Sequence, residues 1–207
     1  MDKAIIVDHL KGISFTIQTG EIVGLIGPIG AGKTTIIKVL SGLTNSVSGF
    51  VSVLDFDPWE KSKDFLKQIS VIFGQNSQLI PDLPATYTFE LNKATYEIRE
   101  RDYRKNLDEL VSLLGASKLL DIQVKKLLPD QKIKMEYIAS LIHKPKVLFL
   151  DEPIFDPDFL YEYNKKNKTT ILLTSHKIDN LVGFVRRAIA IDNGKLIFDG
   201  PLEELDK

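Results

Sequence analysis

The chain has 207 residues, 43% hydrophobic and 27% charged, with 13 glycines and 9 prolines, which excludes a disordered or collagen-like polymer and suits one compact domain over residues 1–207. Lysine plus arginine number 27 against 28 for aspartate plus glutamate, a formal charge of -1, and no stretch gathers one sign into a clamp, so no nucleic-acid partner is expected. Cysteine is absent, which removes disulfides, zinc ribbons, iron–sulfur clusters and thiol nucleophiles, and His9, His143 and His176 are too scattered to suggest a metal site.

From the start, residues 1–10 carry two aspartates and no apolar run of signal-peptide length. No later segment approaches the ~20 apolar residues of a spanning helix, so a soluble, cytoplasmic chain able to dock on a membrane protein is expected. Ile13-Ser14-Phe15-Thr16-Ile17 alternates like a half-buried strand, and Ile22-Val23-Gly24-Leu25-Ile26 is the near-continuous apolar run of a buried parallel one. A glycine-rich loop follows, then Ile36, Val39 and Leu40 at helical spacing, with Gly42 where a C-terminal cap belongs. Ile69–Phe73, residues 147–150 and residues 170–174 repeat the buried-strand pattern, and alternation with helices predicts an α/β sheet. Between them, Tyr87, Leu91, Ala94 and Ile98, then Tyr103, Leu107, Leu110, Val111 and Leu114, keep helical periods, and residues 76–128 are expected to form an inserted helical lobe. Near the end, Ala188-Ile189-Ala190-Ile191, the turn Asp192-Asn193-Gly194 and Lys195-Leu196-Ile197-Phe198 predict a hairpin.

Chemistry concentrates at Gly27-Pro28-Ile29-Gly30-Ala31-Gly32-Lys33-Thr34-Thr35, which matches G-x-x-x-x-G-K-[ST] between a strand and a helix. The glycines let backbone N–H groups converge on phosphate oxygens, and the helix N-terminus adds partial positive charge. Lys33 is expected to reach the β and γ phosphates and the Thr34 hydroxyl to ligate Mg²⁺. A second apolar strand delivers Asp151 and Glu152 to the sheet edge, Asp151 to hold Mg²⁺ through water and Glu152 to polarise the attacking water as general base. His176, after the strand ending in Thr174, could hydrogen-bond a γ-phosphate, and Gln75, after Phe73, could touch metal or water.

With these motifs in order, the chain resembles the ATP-binding cassette (ABC) ATPases, and more narrowly those that drive type-two ABC exporters. The resemblance rests on Gly27 to Thr35, on Ile72-Phe73-Gly74-Gln75-Asn76-Ser77-Gln78-Leu79, on Asp82-Leu83-Pro84 and Phe89-Glu90-Leu91, on the run from His143 to Pro153, on Thr174-Ser175-His176, and on Asn193-Gly194-Lys195-Leu196 with Gly200-Pro201. It implies a P-loop NTPase core, a mostly parallel sheet with flanking helices and an N-terminal antiparallel β portion, together with the helical lobe. Also implied are ATP and Mg²⁺ as ligands, a second cassette facing this one head to tail as homodimer or heterodimer, and a separate membrane permease. The chain would then sit in the cytoplasm, peripheral on the inner face of the cell membrane, with Leu79, Ile80 and Pro81 in the docking groove.

The sequence departs from that family at three places. The LSGGQ signature position holds Leu127-Leu128-Pro129-Asp130-Gln131, which lacks the serine and both glycines; Pro129 has no N–H to offer phosphate, while Pro129 and Asp130 make a good helix start for residues 131–143. No aromatic residue precedes Phe15 where the family stacks adenine. After Glu152, the loop is shortened to Pro153-Ile154-Phe155-Asp156-Pro157. Two functions follow from this set: an ATP-hydrolysing exporter subunit completed by a partner's signature, or a nucleotide-binding regulatory subunit that scarcely turns ATP over.

Overall fold

The computed structural model describes residues 2–10, 12–45, 48–74, 77–154 and 156–205. In chain order the strands are β1 (Lys3–Leu10), β2 (Ile13–Gln18), β3 (Ile22–Ile26), β4 (Phe50–Val53), β5 (Ile69–Phe73), β6 (Val147–Asp151), β7 (Thr170–Ser175), β8 (Arg187–Asp192) and β9 (Lys195–Pro201). The helices are α1 (Lys33–Leu40), α2 (Lys63–Leu66), α3 (Ala85–Thr95), α4 (Glu100–Leu113), α5 (Pro129–Leu141), α6 (Pro157–Asn167) and α7 (Leu202–Leu205).

Six strands form one sheet in the order β5-β6-β7-β3-β8-β9. The first five run parallel and β9 pairs antiparallel with β8. Because the three central strands β6, β7 and β3 end side by side, the loops after Ile26, Asp151 and Ser175 leave from one edge. Outside the carboxyl ends of parallel strands is where an open α/β sheet binds ligands.

The unbroken apolar runs of these strands have a direct cause, since both sheet faces are covered. On β6, Leu148 and Leu150 point into a core with Met135 and Ile138 of α5 and Leu160 and Tyr163 of α6. Val147 and Phe149, one residue out of phase, point into a second core with Ile36, Ile37 and Leu40 of α1 and Ile5 and Ile17 of the smaller sheet. That smaller sheet is antiparallel, in the order β2-β1-β4, with Ile6 opposite both Thr16 and Ser52. Of its three strands, only β2 had been legible from an alternating pattern.

Local signals place several boundaries. Proline is Pro129 at the start of α5, and Asp156 caps α6 by accepting from the N–H groups of Asp158 and Phe159 at 3.0 and 3.3 Å. Asn193 and Gly194 both have positive φ, 46° and 73°, the requirement of the tight turn that joins β8 to β9. Past α1, Gly42 turns left-handed at φ 73°, and a Cβ there would lie 2.2 Å from the Pro58 carbonyl oxygen, so only glycine fits. Among the described residues, 77–128 hold α3, α4 and two short 3-10 turns, with α3 and α4 packed on α5. Phe89, Tyr103 and Leu110 are buried there, and the amide of Asn106 donates to the Ile142 carbonyl at 2.9 Å.

Candidate functional site

The glycine loop leaves β3 and turns directly into α1. Gly30 and Gly32 adopt φ of 86° and 105°, left-handed values that glycine reaches without steric cost. Gly27 is constrained differently, since a Cβ there would come within 2.2 Å of the Ile191 carbonyl oxygen on β8. The loop is closed by the Ala31 N–H donating to Pro28 O at 3.1 Å and pinned by Gly194 N–H donating to Ala31 O at 3.2 Å. Pro28, Ile29 and Gly30 are exposed at the rim while Ala31 is buried. No side chain caps α1 at Gly32 and its first turn carries no acid, so the positive end of the helix suits an anion.

Lys33 is 6% exposed, and its ammonium donates to Gly27 O at 2.7 Å and to Pro28 O at 3.1 Å. It also lies 3.3 Å from Glu152 Oε1. Thr34 Oγ1 donates to Asp151, 2.8 Å from Oδ2. The same carboxylate accepts from Thr174 Oγ1 at 2.9 Å, and that hydroxyl accepts from the Glu152 N–H at 2.8 Å. The other Glu152 oxygen, Oε2, is 2.8 Å from His176 Nδ1, where the ring N–H donates because a carboxylate can only accept. Glu152 sits at a left-handed φ of 46°, which turns its side chain back toward Lys33 and His176.

Lys33, Thr34, Asp151, Glu152 and His176 therefore meet in one continuous chain of polar contacts, though they come from three separate strand ends. Thr35 follows Thr34 on the exposed side of α1. Gln75 lies outside the described residues, as does Phe155. Two contributors had no assigned role in the sequence reading. Thr174 ties the two acids together, and its position at the end of a buried strand was its only signal. Gly74 donates its N–H to Asp151 O at 3.0 Å, and a Cβ on it would lie 2.5 Å from Glu152 O, so the chain after β5 runs hard against the acid pair.

The Thr34 hydroxyl and Asp151 carboxylate form an all-oxygen donor pair, the kind a hard cation such as Mg²⁺ takes while keeping waters and substrate phosphates as its other ligands. At the start of α5, Leu128 is 59% exposed and its N–H donates to Gln131 Oε1 at 2.9 Å. Leu79 corrects an expectation: it is buried in the core, while Ile80 is 40% exposed and Pro81 is exposed.

A family model described as ABC transporter matches residues 10–155. The chain is 26% identical over 212 residues to the ABC transporter ATP-binding protein NatA of Bacillus subtilis, covering 99% of this chain and 86% of that protein. It is 27% identical over 219 residues to the phosphonates import ATP-binding protein PhnC 2 of Haloarcula marismortui, covering 96% and 80%. In fold it is similar to cbiO1 from Clostridium perfringens, part of the ABC transporter complex cbiONQ, with a TM-score of 0.87 and 24% identity over 100% of this chain and 91% of that one. A lysine-bearing glycine loop facing paired acids across a parallel sheet, matched along most of its length to these relatives, makes the chain a member of the ABC transporter family, in its ATP-binding, ATP-hydrolysing class.

Proposed function

We propose that the chain is the ATP-hydrolysing subunit of an ABC exporter, binding ATP with Mg²⁺ at the site above and passing the resulting closure to a separate membrane permease. The observation that carries this reading is the convergence of Lys33, Thr34, Asp151, Glu152 and His176 at one sheet edge. Backbone N–H groups within the loop from Gly27 to Thr35, Pro28 having none to give, cradle the phosphates, and the Lys33 ammonium leaves the Gly27 and Pro28 carbonyls to reach the β and γ oxygens. Thr34, Asp151 and Gln75 hold Mg²⁺, which when bound neutralises phosphate charge. Glu152 takes a proton from the attacking water as the bond from γ-phosphorus to the bridging oxygen breaks, releasing ADP and phosphate. His176, held through Nδ1, keeps Nε2 free to contact the γ-phosphate.

Residues 76–128 act in this reading as a helical subdomain that moves with Gln75, and a second cassette faces the nucleotide. Exposed Ile29, Leu128, Ile154 and Val182, all beside strand-end loops or the start of α5, support a covered face. A separate permease and a position on the inner membrane face belong to the same reading; among the described residues, no helix is long and apolar enough to cross a membrane. The outward direction rests on the likeness of Phe73-Gly74-Gln75 and the residues after it to type-two exporters.

A second reading, a regulatory subunit with little turnover, is favoured by residues 127–131. Leu128 spends its N–H on Gln131, Pro129 has none, and Asp130 places an acid on the helix end that would otherwise receive phosphate. Steady-state hydrolysis by the purified chain against the Glu152→Gln variant separates the two. We expect slow turnover that the substitution abolishes; ATP binding without turnover would establish the regulatory subunit.

A further inference from the structure

Glu152 stands in a backbone conformation that its own sequence disfavours. A φ of 46° is left-handed, uncommon for a residue with a side chain, and Pro153 biases the residue before it toward extended backbone. Such an outlier persists only where its surroundings impose it. Thr174 Oγ1 accepts from the Glu152 N–H at 2.8 Å, and beyond the proline Tyr137 donates its hydroxyl to Ile154 O at 3.3 Å. Between these two anchors the Glu152 carbonyl oxygen fills the place that a side chain on Gly74 would take: a Cβ there would stand 2.5 Å from it and 3.3 Å from Asp151 O. Gly74 cannot draw back without cost, because its N–H donates to Asp151 O at 3.0 Å, the rung after the Phe73–Asp151 pair of β5 and β6. Its φ lies outside the left-handed region, so the close approach, and not backbone freedom, is what requires glycine.

We propose that Gly74 is a positioning residue for Glu152: by lacking a side chain it leaves room for the Glu152 carbonyl, and so keeps that residue left-handed with its carboxylate between Lys33 and His176. The inference rests on the reading of Glu152 as general base and adds what sets its aim. With a methyl on residue 74, the Glu152–Pro153 peptide is the part that yields, since rotation there relieves the contact and returns Glu152 to the extended backbone that Pro153 favours. The carboxylate then leaves Lys33, 3.3 Å away, and His176, 2.8 Å away. None of the three atoms nearest such a methyl belongs to the glycine loop, so the grip on ATP is spared.

The test compares the full wild-type chain with Gly74→Ala. The substitution is expected to lower kcat about tenfold to a hundredfold, the scale of misplacing a catalytic group by an ångström, with KM for ATP unchanged. Nitrogen NMR shifts of the His176 ring, read where the ring is neutral, report the displacement directly. Glu152 holds the Nδ1–H form in the wild type, and Gly74→Ala is expected to release it toward the Nε2–H form. Displacement of Gln75 alone would lower kcat without moving that tautomer. An Nε2–H ring in the wild type, or an Nδ1–H ring kept in Gly74→Ala, overturns the inference. So does a Gly74→Ala chain that no longer folds or binds ATP, because the contact would then serve the fold and not the base. Turnover abolished by Glu152→Gln yet intact in Gly74→Ala overturns the positioning role and leaves the base reading standing. Turnover that survives Glu152→Gln ends the base reading, and the tautomer then decides the position of Glu152 by itself, as it does if the chain binds ATP without hydrolysing it.

Discussion

Thr174 holds the acid pair in place with a single hydroxyl, donating to Asp151 and accepting from the Glu152 N–H while itself 1% exposed. Thr174→Val keeps the shape but strands a buried N–H and a carboxylate oxygen, a loss of about 1–3 kcal/mol that a urea midpoint will register. Hydrolysis is expected to fall in the same variant, because Glu152 loses the anchor that turns it toward Lys33. Lys33 and Thr34 are legible in the sequence, since the glycine spacing that defines them is contained in nine consecutive residues. Thr174 and Gly74 were not, because each acts on the backbone or carboxylate of a neighbouring strand. Leu79 was misjudged for the same reason: an apolar residue beside Ile80 and Pro81 reads as exposed until the packing of the helical region buries it.

At the scale of elements, the junction of α5 with β5 depends on His143. Its Nε2–H donates to Ile69 O at 3.0 Å, and its ring stacks on Tyr96 at 3.8 Å and 4°. Burial lowers its pKa from 6.5 to about 4. The unfolded chain therefore binds a proton that the folded chain refuses, and stability falls as pH drops from about 6.5 toward about 4. The whole effect is about 3 kcal/mol by the free energy of a pKa shift of that size. Urea melts of wild type across this window are expected to lose more stability than those of His143→Gln, which cannot protonate. The turn between β8 and β9 was visible in Asp192-Asn193-Gly194, because the positive φ values it needs are written in residue type. β1 and β4 were not read: β4 is four residues long, begins with an exposed Phe50, and is stabilised by pairing with a segment more than forty positions earlier.

Across the whole molecule, one sheet separates two cores, and each buried strand contributes to both. Phe149→Ala is expected to cost about 3–5 kcal/mol. Because Leu148 and Leu150 on the same strand bind the opposite core, the loss should lower both together. Coincident shifts in Trp59 fluorescence and far-UV circular dichroism will check this, and separated transitions will refute it. The apolar runs and the glycine loop, read in order along the chain, already determined an α/β fold with a phosphate site, because hydrophobic period and backbone freedom belong to residues adjacent in sequence. The strand order was decided only in three dimensions, and with it the meeting of Lys33 with Glu152 and His176. Buried strands of valine, isoleucine and leucine are interchangeable as local patterns, so nothing within one of them says that β7 lies between β3 and β6; the packing of α1, α5 and α6 on the two faces does.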